Sequence, residues 1–176
     1  MKRIVLLAAI LVFCMANIAS AEISKTFDRF EGKITVKSTQ TAALNDFLDV
    51  NVIITKFFFS KYGFKDDRIS LITVRMLSKS PLDAPPILGE FYWMRPGEPY
   101  GHREKFARGP TSSTRIATIS DDFKKAIAAG ETIMIKIPLL TGNPQYLNVT
   151  SDVLAEWNEV ITYDAIKNPP KPEQQN

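Results

Sequence analysis

The chain has one cysteine, Cys14, one histidine, His102, and no marked excess of either charge, with 22 lysines and arginines against 19 aspartates and glutamates. Each scarcity closes off a class of function. Cys14 falls in an N-terminal stretch with the three parts of a secretory leader: the basic Met1-Lys2-Arg3, an almost wholly apolar Ile4 to Met15, and small residues at Ala19-Ser20-Ala21. Cleavage after Ala21 is the expectation, and the part that remains then holds no cysteine. Disulfides, thiolate metal sites and thiol catalysis are excluded for that part. Phe13 stands where lipoprotein processing at Cys14 needs a small side chain, and the apolar run is short for a membrane span. Losing Lys2 and Arg3 leaves 20 basic against 19 acidic residues, without the basic excess of a general nucleic-acid or anionic-membrane binder.

Catalytic and metal signatures are equally sparse. No Gly-x-Ser-x-Gly turn accompanies His102. The pairs Asp66-Asp67 and Asp121-Asp122 are adjacent, unlike the alternate ligands of a calcium loop. Neither a metal nor a cofactor is implied. Asn148-Val149-Thr150 fits a glycosylation acceptor but falls in a predicted strand, where it reads as coincidence.

What is present is pattern. Ser120 precedes Asp121 and Asp122, so a hydroxyl can accept a free backbone N–H while two carboxylates face the positive helix end. Phe123, Ala126 and Ile127 follow at helical spacing, and Gly130 supplies a left-handed stop. Ile133, Ile135 and Ile137 alternate with polar neighbours, Thr141-Gly142-Asn143-Pro144 is turn chemistry, and Leu147 and Val149 alternate in turn, which predicts a hairpin. Ser151-Asp152 repeats the cap, and Val153, Leu154, Trp157, Val160 and Ile161 form the stripe of a second helix.

Upstream, Ile34 and Val36 mark a half-buried strand, and Thr39 to Asp49 reads as a short helix or loop. Val50 to Phe59, apolar except chiefly at Lys56, reads as a central strand covered on both faces and paired through a turn at Tyr62 to Asp67 with Ile69 to Leu77. Three prolines within Ser78 to Pro86 stop the ladder, and Ile87 to Met94 resumes extended structure. Arg95 to Pro110 reads as a long loop. The expected organisation is a leader over 1–21, one α+β domain over 22–167 and a disordered tail over 168–176. Its fold is a single antiparallel or mixed sheet of about six or seven strands with two short capped helices, or alternatively a β-sandwich with peripheral helices.

The candidate contact surface lies in and before that long loop: Trp93, Arg95, Tyr100, His102, Arg103, Lys105, Phe106 and Arg108 combine arginine with aromatic residues, the composition of interface hot spots. Equally, Phe91 and Trp93 could face the core while the charges solvate a loop. The expectation is a non-enzymatic exported protein binding an envelope protein or glycan through residues 95–108. A periplasmic hydrolase using His102 or a carboxylate pair is the alternative. No nucleic-acid partner is expected, nor a membrane span once the leader is removed.

Phe27-Asp28-Arg29-Phe30-Glu31-Gly32-Lys33, leading into Thr35-Val36, together with Ile119-Ser120 and Asp122 to Ile127, resembles small exported bacterial proteins of uncharacterised families. The resemblance implies a periplasmic or surface location and a compact α+β domain. It implies no activity.

Overall fold

A computed structural model describes residues 16–17, 22–63, 70–80 and 83–169. The expected leader falls outside the described residues apart from Ala16–Asn17, as do the expected turn beyond Gly63 and the expected tail beyond Pro169.

Among the described residues the fold is α+β, with two α-helices and two mainly antiparallel sheets. The long hairpin β3 (Lys33–Asn45) and β4 (Leu48–Phe59) is the centre of a six-stranded sheet, in the order β2 (Glu22–Asp28), β3, β4, β5 (Ser70–Ser78), β9 (Thr114–Thr118), β8 (Ala107–Arg108). A five-stranded sheet runs β1 (Ala16–Asn17), β11 (Gln145–Val149), β10 (Ile133–Ile137), β6 (Glu90–Met94), β7 (His102–Lys105). Helix α1 spans Asp121–Ala129 and α2 spans Ser151–Thr162.

The expected single sheet is therefore corrected to two. Strand periodicity tells which face is buried but not which neighbour a strand takes. After β5 the proline-bearing segment carries the chain away, and the aromatic strand β6 pairs with β10 and β7 instead of β5. Strand β9 then returns to the free side of β5.

Three local expectations also change. Thr39 to Asp49 is not helical: β3 continues to Asn45, and its register on β4 is kept from Lys33↔Phe59 to Asn45↔Leu48 with one shift near Ala43. Pairing with β4 outweighs the weak helical spacing of Ala42, Ala43 and Phe47. Strand β4 is central, but only its inner face is fully covered; Asn51, Ile53 and Phe57 on the other face are half exposed. The segment Arg95 to Pro110 contains β7 and β8, so much of the expected loop is strand. Its start is a tight turn in which the Glu98 N–H donates to the Arg95 carbonyl at 3.2 Å, with Pro96 fixing φ and Gly97 taking φ +84.

The two helix starts differ from each other. At α1 the Phe123 N–H donates to Ser120 Oγ at 3.2 Å, and Gly130 closes the helix at φ +70. At α2 the cap position is Thr150, not Ser151, and no side-chain capping bond forms. The carboxyl end of α2 is held from the sheet: Lys56 Nζ, buried on the inner face of β4, donates to the carbonyls of Ile161 at 2.6 Å and Tyr163 at 3.0 Å. A cation at that end also meets the negative pole of the helix. The lysine that interrupts an otherwise apolar strand thus fastens helix to sheet.

One core joins both sheets and both helices. Phe123 of α1 lies 5.8 Å from Phe91 and 5.2 Å from Trp93, both of β6, while Tyr163 after α2 meets Phe58 of β4 edge-on at 6.0 Å. Among the described residues no element packs on the far side of the five-stranded sheet, whose outward side chains are half-buried or exposed.

Candidate functional site on the five-stranded sheet

The open face is built by alternation. In β6 the side chains of Phe91 and Trp93 are buried, so Glu90, Tyr92 and Met94 face outward. Ile133, Ile135 and Ile137 turn Met134 and Lys136 outward in β10, and Leu147 and Val149 do the same for Tyr146 and Asn148 in β11.

Register brings these residues into rows. Arg103 pairs with Tyr92, Tyr92 with Lys136 and Lys136 with Tyr146, so cation and aromatic alternate across four strands. Beside this row, Met94 pairs with Met134 and Met134 with Asn148. Between the rows lies a cavity of about 290 Å³, lined by both tyrosines, both methionines, Lys136, Trp93 and Gly101.

The polar groups are not equally free. Glu90 accepts from Tyr92 Oη at 2.5 Å and from Arg103 Nε at 2.5 Å. The Tyr92 hydroxyl, followed by the Arg103 guanidinium, holds the Glu90 carboxyl below its ordinary range, and the same bond raises the Tyr92 phenol. Lys136 Nζ lies 5.7 Å from the centroid of the Tyr92 ring, and among the described residues it makes no ion pair. Tyr146 is 39% exposed.

The residues expected from sequence are divided by the sheet. Arg103 and Lys105 lie on the open face, opposite Tyr92 and Glu90. Trp93 is buried, its indole N–H donating to Glu104 Oε1 at 3.1 Å and its ring stacked on His102 at 4.0 Å. Phe106 packs on Phe91 at 4.9 Å as part of the core surround. Arg95 is engaged by Glu98 through backbone N–H and guanidinium, the former first in holding the Glu98 carboxyl down. Tyr100 is 83% exposed on the connection between β6 and β7. Arg108 belongs to β8 in the other sheet, and its side chain is outside the described residues.

His102 Nε2 lies 3.5 Å from Glu98 Oε2, and its ring stacks on Trp93. Neither is a hydroxyl or thiol that the imidazole could activate as a nucleophile. Among the described residues no three histidine, cysteine, aspartate or glutamate side chains gather as a metal site, and no helix is long and apolar enough to cross a membrane.

Sequence reasoning missed Met94, Met134, Lys136 and Tyr146 as site residues. Their signal was available as the outward half of strands whose inward half is isoleucine, leucine, valine and tryptophan. Comparison with protein-family models, curated protein sequences and solved structures gives no match, and the functional reading therefore rests on the geometry.

Proposed function

We propose that the chain is an exported, non-catalytic binding protein of the bacterial envelope whose contact surface is the open face of the five-stranded sheet, continued by residues 95–108. The observation that carries this reading is the row Arg103, Tyr92, Lys136, Tyr146 beside Met94 and Met134, around one cavity on an uncovered face. Tyrosine, methionine and arginine are the side chains that interfaces enrich. The partner is read as a polypeptide in preference to a glycan: methionines offer an adaptable apolar lining, while Glu90, Tyr92 and Arg103, the groups suited to sugar hydroxyls, already bond to one another. Export is supported by the leader-like first 21 residues.

The test is capture from an envelope extract by wild type, by a Lys136→Glu/Tyr146→Ser variant, and by a Lys37→Glu control on the outer face of the other sheet. A protein retained by wild type and control and lost by the face variant is the expected result. Equal capture by all three, or release of the ligand by free glycan, overturns the reading.

A further inference from the structure

The edges of the two sheets are not alike. Strand β7 ends the five-stranded sheet with His102-Arg103-Glu104-Lys105, β2 edges the other sheet with Glu22, Lys25 and Asp28, and β8 is only two residues long. Charge and shortness are the ordinary means of keeping an edge from pairing with foreign strands. Strand β11, Gln145-Tyr146-Leu147-Asn148-Val149, has no charge and no proline. It is also the edge on which an extended piece of this chain already sits: Ala16 pairs with Leu147 and Asn17 with Asn148, in parallel. That piece covers two of the five positions and falls inside the expected leader.

We propose that the outer edge of β11 is a strand-acceptor site, which in the chain without its leader takes an extended segment of a partner polypeptide in the parallel register that Ala16–Asn17 occupies here. This deepens the functional reading above and rests on it for the partner being a polypeptide. Strand addition draws affinity from main-chain hydrogen bonds and specificity from pockets that receive alternate side chains. Both parts are present. A residue paired with Leu147, which is fully buried, falls on the buried side of the sheet, where a charge would lose its water. Residues paired with Tyr146 and Asn148 fall on the open side, where they extend the two rows that border the cavity. The segment recognised is therefore extended and uncharged at the inward position, with room for side chains at the outward ones.

The probe is a decapeptide copying residues 12–21 with serine in place of Cys14, titrated onto the chain that begins at Glu22. That chain keeps the core formed by the described residues, every buried member of which lies at or beyond Ile34. The expected result is saturable binding that weakens at least about tenfold when proline replaces positions 16, 17 and 18 of the peptide, since proline removes the N–H donors that a ladder needs. Full-length chain, with its edge occupied, should bind the peptide more weakly than the shortened one. In a full-length Cys14→Ser chain carrying Asn17→Cys and Asn148→Cys, a short bifunctional thiol reagent should join the two positions. Absence of that link, no binding by the shortened chain, or equal binding of the proline peptide overturns the acceptor edge. Loss of envelope capture in the face variant would still stand in that case, so the two readings fail separately.

Discussion

The Trp93 indole N–H donates to Glu104 Oε1, and the same oxygen accepts from the Ser120 hydroxyl, which itself accepts the Phe123 N–H at the start of α1. One half-buried carboxylate thereby links β6, β7 and the cap of a helix that packs on Trp93. The acid of the Tyr100 to Glu104 stretch is a structural tie on the buried side of β6 and β7.

Breaking this tie should loosen the site from behind. Ser120→Ala is expected to cost about 1 kcal/mol through loss of the cap. Glu104→Leu should cost more than Glu104→Gln, because glutamine keeps an acceptor for the indole N–H while leucine leaves it unpartnered. Urea midpoints of the three variants check the order.

Trp157 is buried with its Nε1 unpartnered among the described residues. Its value is therefore volume, and Trp157→Ala should cost about 3–5 kcal/mol. Trp157→Phe should cost clearly less than Trp157→Ala, since it empties less of the same space and loses no hydrogen bond. A denaturation midpoint as low for phenylalanine as for alanine would show that the indole N–H has a partner.

Lys56→Met removes the donor at the carboxyl end of α2 and strands the carbonyls of Ile161 and Tyr163. A loss of about 1–3 kcal/mol is expected, seen as early loss of helix signal and faster amide exchange over the last turn of α2. An unchanged exchange rate there would contradict the fastening role.

How much of this was legible in the sequence follows the range of the interactions. Ser120 and Gly130 bound α1 by contacts within a few residues, and the turn at Thr141 to Pro144 joins β10 to β11, so these elements are as read. The partner of β6 is set by Trp93 and Met94 meeting residues some forty positions later, which no local pattern encodes. The same holds for the site. Tyr92 and Arg103 are close in sequence, but Lys136 and Tyr146 join them only through the register of a sheet that periodicity cannot assemble.

Acid should weaken the turn and the clamp beside the site. Glu98, held by the Arg95 N–H and guanidinium, and Glu90, held by Tyr92 and Arg103, both have folded pKa values below their ordinary ones. Their contribution is present above the unfolded carboxylate value and is lost as pH falls through the folded values. Tyr92 has the opposite sense: its raised phenol contributes below the ordinary tyrosine value, and that contribution is lost as pH rises through the raised one. Denaturant midpoints against pH should fall below the usual glutamate range, less steeply in Glu98→Gln.

The contact face can be tested by placing a photo-reactive phenylalanine derivative at Tyr146, on the open face of the five-stranded sheet, and separately at Ile53, on the outer face of the six-stranded one. Both chains are exposed to envelope extract and irradiated. A discrete cross-linked protein from position 146, and none from position 53, is the result expected if the row of Arg103, Tyr92, Lys136 and Tyr146 meets the partner; the same adduct from position 53, or from 53 alone, would contradict it.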